Sequence, residues 1–274
     1  MRKIAGVIGW PVKHSLSPKL HNYWLNKYGI DGEYLRQEVK PENLAAAVKA
    51  CVAEGWCGFN LTLPHKELVL PMLDSIDDVA AAIGAVNTVV IKPGGKLHGT
   101  NTDAYGFIEN IRPAINGKNK AVLLGAGGAA KAVCHALTKE GFVNIVVLNR
   151  TPEKAAAFSA QFPRATSVVW EERNSVLCDA DLLVNATSLG MAGKEPLDID
   201  LSSLPKHALV TDIVYTPLIT PLLAQAKARG NPIVDGLGML LHQAVPGFKA
   251  WFDFDGEPDI NDELRNYILG ESHV

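Results

Sequence analysis

The segment that most constrains this chain is a short apolar run, Ala121–Leu124, that passes directly into Gly125-Ala126-Gly127-Gly128-Ala129-Ala130 and then into an Ala-rich stretch ending near Lys139. An apolar run of this length reads as a buried strand, and alanine is the strongest helix former. The residues between them obey a narrow geometry. Gly125 permits the tight turn, Gly127 has no side chain to bar a close approach, and Ala130 lets the helix lie close to the strand. A helix start placed there offers unbonded N–H groups and a partial positive charge to a pyrophosphate. The strand–turn–helix context is the one a dinucleotide-binding turn requires. The alternative is a glycine turn with a structural role only.

The next apolar run, Ile145–Leu148, bears on which dinucleotide. An NAD site carries Asp or Glu about 20 residues beyond the glycines, to hold the ribose 2′-hydroxyl. Here the run ends in Asn149-Arg150-Thr151, with Lys154 one turn on. A carboxylate would repel a 2′-phosphate, whereas a guanidinium can grip one through paired hydrogen bonds. NADP is therefore expected over NAD; the alternative is that Arg150 is a solvated loop arginine.

The rest of the chain repeats the alternation. Strands are expected at Ile4–Ile8, Tyr34–Val39, Phe59–Leu63, Thr88–Ile91 and Lys96–Thr100, and later at Val168–Trp170, Leu182–Asn185, Leu209–Asp212 and Ile233–Asp235. Helices are expected at Ser17–Tyr28 (Ser17 as N-cap, Pro18 in the first turn), Asn43–Ala53 (Asn43 as cap), Asp74–Ile83, Asp103–Ile115, Pro152–Ala160, Leu240–Phe248 and Asp259–Leu269. Strands separated by helices of this length imply βαβ units and parallel sheets. The fold class is α/β in two lobes with a cleft between them. Residues 1–102 would form an N-terminal α/β substrate-binding and catalytic domain, and residues 103–238 a Rossmann-like NADP-binding domain. The C-terminal helices, 239–274, would pack back on the first.

With 274 residues, 47% of them hydrophobic, the chain can bury a sizeable core, which excludes global disorder. A net charge of −3 leaves no basic surplus to attract nucleic acid. No run reaches the roughly 18 apolar residues of a membrane helix, and the N-terminal apolar run, stopped by Pro11, is too short for a secretory signal. The four cysteines, Cys51, Cys57, Cys134 and Cys178, form no C-x-x-C pair and no Cys/His cluster. They read as buried thiols of a cytoplasmic protein with no metal site, against the alternative of a disulfide framework or zinc site. Monomer and homodimer are equally compatible with the composition.

Hydride chemistry on an alcohol needs a group to take the hydroxyl proton. Asn60-Leu61-Thr62-Leu63-Pro64-His65-Lys66 closes the third expected strand, with Asn60 and Thr62 on one face and Lys66 on a turn. Gly99-Thr100-Asn101-Thr102-Asp103 joins a strand to a helix start. Lys66 and Asp103 suit hydroxyl recognition and proton transfer as a pair; the alternatives are a helix cap for Asp103 and a surface lysine for Lys66. His14 and His65 are expected to be merely solvated.

Several further segments appear in order: Ser15-Leu16-Ser17-Pro18, Gly84-Ala85-Val86-Asn87-Thr88, Asn185-Ala186-Thr187-Ser188-x-Gly190-Met191, Asp212-x-Val214-Tyr215-x-Pro217 and Asp235-Gly236-x-Gly238-Met239-Leu240-x-x-Gln243. With the motifs above, the chain resembles the shikimate dehydrogenase family over nearly its whole length. The resemblance implies NADPH-dependent reduction of 3-dehydroshikimate to shikimate, in the pathway to aromatic amino acids. Lys66 would be the catalytic lysine and Asp103 its partner. Ser15, Ser17 and Tyr215 would hold the substrate carboxylate. Thr62, Asn87 and Gln243 would bind the ring hydroxyls, with Asn60 close by. Gly125, Ala126, Gly127, Gly128 and Ala129 would cradle the pyrophosphate, and Asn149, Arg150 and Thr151 the adenosine phosphate. Ile213 and Gly236 would lie near the nicotinamide, and Met239 between cofactor and substrate.

One position departs from the family pattern: Lys154 stands where an arginine is common, which keeps the charge and loses the planar fork. A quinate-acting branch tends to vary the second serine and to lose the Arg-Thr pair. Retention of Ser17, Arg150 and Thr151 favours shikimate. Two other readings are a nucleotide- or metabolite-binding regulator without turnover and a methylene-tetrahydrofolate-type dehydrogenase. Gly236-Leu237-Gly238 reads either as a hinge or as a tight turn.

Overall fold

The structure, a computed structural model, describes residues 2–270; the last four positions of the expected C-terminal region, 271–274, lie outside the described residues. The chain forms two compact units, residues 2–102 with 241–270, and residues 103–240.

The first unit contains β1 (Lys3–Gly9), α1 (Ser17–Lys27), β2 (Gly32–Glu38), α2 (Leu44–Ala53), β3 (Gly58–Leu61), α3 (His65–Leu68), β4 (Ser75–Ile76), α4 (Asp78–Ile83), β5 (Thr88–Lys92) and β6 (Lys96–Thr100). Its sheet has the order β2-β1-β3-β5-β6-β4. The expectation of parallel sheets holds only in part here: β1 is parallel to β2 and β3, and β4 to β6, but β5 runs antiparallel to both β3 and β6. The tight Pro93–Gly95 turn joining β5 to β6 leaves no chain for a parallel crossover. Phe59, Val89, Trp56, Leu44 and Val48 pack into the core on one side of the sheet.

Several helix starts differ from expectation. α1 is preceded by Leu16, so Ser17 is its first residue and not its cap; Ser17 N–H instead donates to Ser15 Oγ at 3.3 Å. Asn43 ends a 3-10 turn, Pro41–Asn43, and makes no side-chain cap for α2. The stretch expected as one helix from Asp74 is split. Asp77 Oδ1 accepts the Ala80 N–H at 2.7 Å and starts α4 at Asp78, while Ser75–Ile76 pairs with β6. β3 stops at Leu61, and Lys66 lies in the short helix α3 and not on a turn.

The second unit contains α5 (Asp103–Ile111), β7 (Lys120–Leu124), α6 (Gly128–Glu140), β8 (Asn144–Leu148), α7 (Pro152–Gln161), β9 (Ala165–Val168), β10 (Leu182–Asn185), β11 (Leu209–Asp212), α8 (Pro221–Arg229) and β12 (Ile233–Val234). Every neighbouring pair in the order β12-β11-β10-β7-β8-β9 is parallel. The reversal of strand order between β7 and β10 is that of a doubly wound dinucleotide-binding sheet. Helices cover both faces of such a sheet, which is why β7, β10 and β11 are buried along their whole lengths and read as unbroken apolar runs. The polar exceptions are Lys120, whose ammonium pairs with Asp179, and Asn185, Thr211 and Asp212 in the C-terminal halves of β10 and β11.

α5 ends at Ile111, four residues early, because Pro113 turns the chain into a 3-10 turn. Trp170 lies in a 3-10 turn beyond β9 and not in the strand. α8 had no counterpart in the sequence reading, although Thr220 caps it, Pro221 opens it and Gly230 ends it. α9 (Leu237–Phe252) begins as Asp235 Oδ1 accepts the Leu237 N–H at 3.0 Å. The segment read as a hinge or tight turn therefore includes the first turn of a helix. A Cβ at Gly238 would collide with Asn110 Oδ1, so this glycine serves close packing.

From Leu241 on, α9 belongs to the first unit, as does α10 (Asp262–Leu269). Trp251 Nε1 donates to Val89 O at 2.9 Å and Trp24 Nε1 to Asp259 O at 3.1 Å. His21 stacks on Tyr34 with ring centroids 4.0 Å apart, beside Trp24, Phe248 and Trp251. All four cysteines are free thiols, but only Cys51 and Cys134 are buried; Cys57 is half-buried and Cys178 exposed. Among the described residues no helix is long and apolar enough to cross a membrane.

Candidate active site

In the first unit, pairing direction brings the polar residues to one edge of the sheet. β1 and β3 are parallel, so their C-terminal ends lie together, and the antiparallel β5 begins at that edge. β6, antiparallel to β5, finishes there. Ser15 and Ser17 follow β1, Thr62 and Lys66 follow β3, Asn87 precedes β5, and Thr102 follows β6. Backbone bonds extend the sheet past its strands: Thr62 N–H donates to Ile8 O at 3.0 Å, Asn87 N–H to Thr100 O at 3.2 Å, and Val86 N–H to Lys66 O at 2.8 Å. The last bond ties the backbone of Lys66 to the segment that carries Asn87.

Asn60, Asn87 and Thr102 are buried. Tyr34 Oη donates to Asn60 Oδ1, and Asn60 Nδ2 donates to Asn87 O at 3.0 Å and to Thr88 Oγ1 at 2.9 Å. Asn60 thus spends its amide on the protein, which makes it a support for its neighbours. Asn87 Oδ1 accepts the Thr102 N–H at 2.8 Å and so anchors the residue next to Asp103. Asp103 itself is buried and opens α5. Burial holds the Tyr34 phenol well above its ordinary titration range, so it remains a donor.

Ser15 is half-buried, with its carbonyl accepting from Arg36 Nη2 at 2.7 Å. Gln243 lies buried in α9. His65 is not solvated as expected. It is fully buried, its Nε2 donates to Val39 O at 2.7 Å, and it acts as a pin under α3.

In the second unit the parallel strands place every C-terminal end at one edge. Gly125 N–H donates to Leu148 O at 2.7 Å, Ala186 N–H to Leu124 O at 2.8 Å, and Ile213 N–H to Asn185 O at 3.0 Å. Gly125 has φ +109°, and a Cβ there would fall 2.9 Å from Ala186 O, so the tight turn needs glycine. A Cβ on Gly127 or Gly128 would meet nothing within 4 Å. α6 starts at Gly128 without a side-chain cap, which leaves its first N–H groups to a ligand. Ala130 is fully buried against the strand.

At the end of β8, Asn149 Nδ2 donates to Thr151 O at 3.0 Å, and Thr151 precedes α7 without a side-chain cap bond. Arg150 and Lys154 are exposed. The open turn, the uncapped helix and the exposed cations Arg150 and Lys154 just beyond the strand end fit a dinucleotide carrying a 2′-phosphate. Gly236 packs on the backbone of Ile213, where a Cβ would fall 2.7 Å from its carbonyl oxygen. Tyr215 is half-buried and its phenol is pushed up by burial. Met239 is buried near the start of α9.

Five residues important to these edges had no role assigned from sequence. Asp212 is buried, and its carboxylate accepts from Asn185 Nδ2 at 3.0 Å, Thr220 Oγ1 at 2.8 Å and Val214 N–H at 3.0 Å. Burial raises its pKa while these bonds oppose the rise. Asn185 Oδ1 also accepts from Thr187 Oγ1 at 2.7 Å, so the loops after β10 and β11 are tied together. Thr88, Asn185 and Asp212 lie within recognised motifs; Tyr34 and Thr220 carried no local signal.

A family model described as the shikimate dehydrogenase substrate binding domain matches residues 7–89, and one described as shikimate / quinate 5-dehydrogenase matches residues 109–216. The chain is 51% identical to the shikimate dehydrogenase (NADP(+)) of Paramagnetospirillum magneticum, over 97% of this chain and 98% of that one. It is 49% identical to the protein of the same name from Rhodospirillum rubrum, over 98% of each. Among solved structures, the shikimate 5-dehydrogenase of Thermus thermophilus in complex with NADP(H) and shikimate superposes with a TM-score of 0.88 at 36% identity, covering 98% of this chain and 100% of that one. The quinate dehydrogenase of Corynebacterium glutamicum in complex with NAD gives a TM-score of 0.91 at 32% identity, covering 98% and 99%.

Proposed function

We propose, from the premise that the chain belongs to the shikimate dehydrogenase family, that it catalyses the reversible NADPH-dependent reduction of 3-dehydroshikimate to shikimate. The observation that carries this reading is the near-full-length likeness to proteins named shikimate dehydrogenase (NADP(+)), 51% identical in one case. The four free thiols fit a reducing compartment, and we place the reaction in the cytoplasm.

NADPH, when bound, supplies the hydride for the ketone carbon; Gly125–Ala129 with the start of α6 would hold its pyrophosphate, and Asn149–Thr151 with Lys154 its 2′-phosphate. As the carbonyl becomes an alkoxide, the Lys66 ammonium stabilises the growing negative charge and then gives it a proton. In the oxidative direction the Lys66 amine takes the hydroxyl proton. Asp103 would accept a hydrogen bond from a neighbouring ring hydroxyl and keep the reacting carbon aligned with the lysine. Ser15, Ser17 and Tyr215 offer hydroxyls to the substrate carboxylate, while Thr62, Asn87 and Gln243 serve the ring hydroxyls. Ile213, Gly236 and Met239 would flank the nicotinamide.

The test is nicotinamide absorbance with shikimate and quinate, each paired with NADP+ and NAD+. The reading expects shikimate with NADP+ to give the highest kcat/KM. Faster turnover of quinate with NAD+ would assign the chain to the quinate branch, and no turnover with any pair would refute an enzymatic role.

A further inference from the structure

The second sheet has the spatial order of two halves, β9-β8-β7 and β10-β11-β12. A dinucleotide lies across the point where the order reverses, one mononucleotide to each half. The glycine turn after β7 and the cations Arg150 and Lys154 after β8 suit the phosphate-bearing adenosine, which leaves the ends of β10, β11 and β12 to the nicotinamide. Asp212 is the last residue of β11 and is 1% exposed. Its carboxylate meets only neutral donors. Asn185 Nδ2 lies 3.1 Å from Oδ1 and 3.0 Å from Oδ2, the Val214 N–H donates to Oδ1 at 3.0 Å, and Thr220 Oγ1 donates to Oδ2 at 2.8 Å. The Asn185 amide cannot turn to accept instead, because its Oδ1 takes the Thr187 N–H at 3.1 Å and its Nδ2 gives to Leu189 O at 3.0 Å. Both oxygens of Asp212 therefore act as acceptors, as in an ionised carboxylate. No lysine, arginine or histidine among the described residues pairs with it.

A buried charge without a counter-ion is costly. Tying the loops after β10 and β11 together needs acceptors but no charge, so the charge itself calls for a use. We infer that Asp212 distinguishes the two redox forms of the dinucleotide: its fixed negative charge at the nicotinamide end of the cradle favours the positively charged oxidised ring over the neutral reduced one. The inference rests on the reading above that Ile213 and Gly236 flank the nicotinamide. Both adjoin the charged residue. Ile213 follows Asp212 directly, and a Cβ on Gly236 would fall 2.7 Å from the carbonyl oxygens of both Asp212 and Ile213. The three donors hold the carboxylate in place and leave its net charge intact. A charge closed off from water is screened far less than a surface one, so its field reaches past its immediate neighbours.

Asp212→Asn keeps the size and the Oδ1 acceptor and removes the charge; Thr220→Val keeps the charge and removes one bond to it. Calorimetry in mildly alkaline buffer gives the Kd of each full-length protein for NADP+, for NADPH and for 2′-phospho-ADP-ribose, which lacks the nicotinamide. Circular dichroism and melting temperature check folding. Asp212→Asn is expected to weaken NADP+ about fivefold or more, with NADPH and 2′-phospho-ADP-ribose within about twofold. Thr220→Val is expected to change NADP+ and NADPH by the same factor. If Asp212→Asn does not fold, Asp212→Ser provides the same readout. Equal weakening of NADP+ and NADPH in the uncharged variant shows a tie between loops and overturns the inference, as does unchanged binding of both. A shift of the NADP+ to NADPH ratio in Thr220→Val as large as in Asp212→Asn traces the effect to loosened packing and also overturns it. A wild type that binds neither dinucleotide refutes the functional reading itself.

Discussion

Arg150 Nη1 lies 3.6 Å from Glu195 Oε2, so the cation expected to meet the 2′-phosphate is already paired with a carboxylate of its own chain. Both side chains are largely exposed, and such a pair is worth little in water. A phosphate dianion arriving at Arg150 must compete with Glu195 or displace it. Glu195→Gln is expected to tighten NADP+ about two- to fivefold at low salt and to leave NAD+ unchanged. Arg150→Asp should weaken NADP+ far more than NAD+. Calorimetry with both dinucleotides checks this, and equal loss of both in Arg150→Asp would remove Arg150 from the phosphate site.

Lys66→Ala is expected to lower kcat by about 10²- to 10⁴-fold while KM for shikimate changes little, the signature of a lost proton donor. Asp103→Asn keeps the size and removes the charge, and should lower kcat/KM. A Lys66→Ala enzyme with normal kcat and a raised KM would make the lysine a binding group.

His21 carries an acid sensitivity. Burial pulls its pKa from 6.5 to about 3, and neither ring nitrogen has a hydrogen-bond partner. In the unfolded chain it takes a proton below pH about 6.5, while the folded ring stays neutral. The stability tied to the neutral ring is whole above that pH and drains away as the pH falls toward 3. Between pH 7 and 5 the loss is about 2 kcal/mol. Urea midpoints across this window should fall less steeply in His21→Phe than in the wild type; parallel curves would dismiss the residue.

The thiols should divide by burial. Cys51 and Cys134 are pushed up to about 12 by desolvation. In a dithionitrobenzoate assay on native enzyme, exposed Cys178 should react first, and Cys51 and Cys134 only on unfolding. Peptide mapping of the labelled protein identifies the order.

The strands of the second unit were readable because doubly buried parallel strands are largely apolar; Leu182–Asn185 and Leu209–Asp212 are strands at the expected residues. The glycine turn was readable because a φ of +109° beside Ala186 O leaves no alternative residue. Local signals failed at several helix starts. Ser17 and Asn43 are residue types that cap well, yet neither gives its helix a side-chain cap bond, and Asp77 caps the helix that the sequence predicts from Asp74.

Sequence by itself determined the alternation of strand and helix, the phosphate turn and the residue types at each strand end, since these depend on side-chain period, backbone freedom and charge within a few neighbours. Tertiary structure alone decided the antiparallel pairing of β5 with β3, the burial of His65, and the cluster that joins Tyr34, Asn60, Thr88 and Thr102 around Asn87. Those choices depend on which distant donors and acceptors share a space closed to water, and spacing along the chain carries no record of that space.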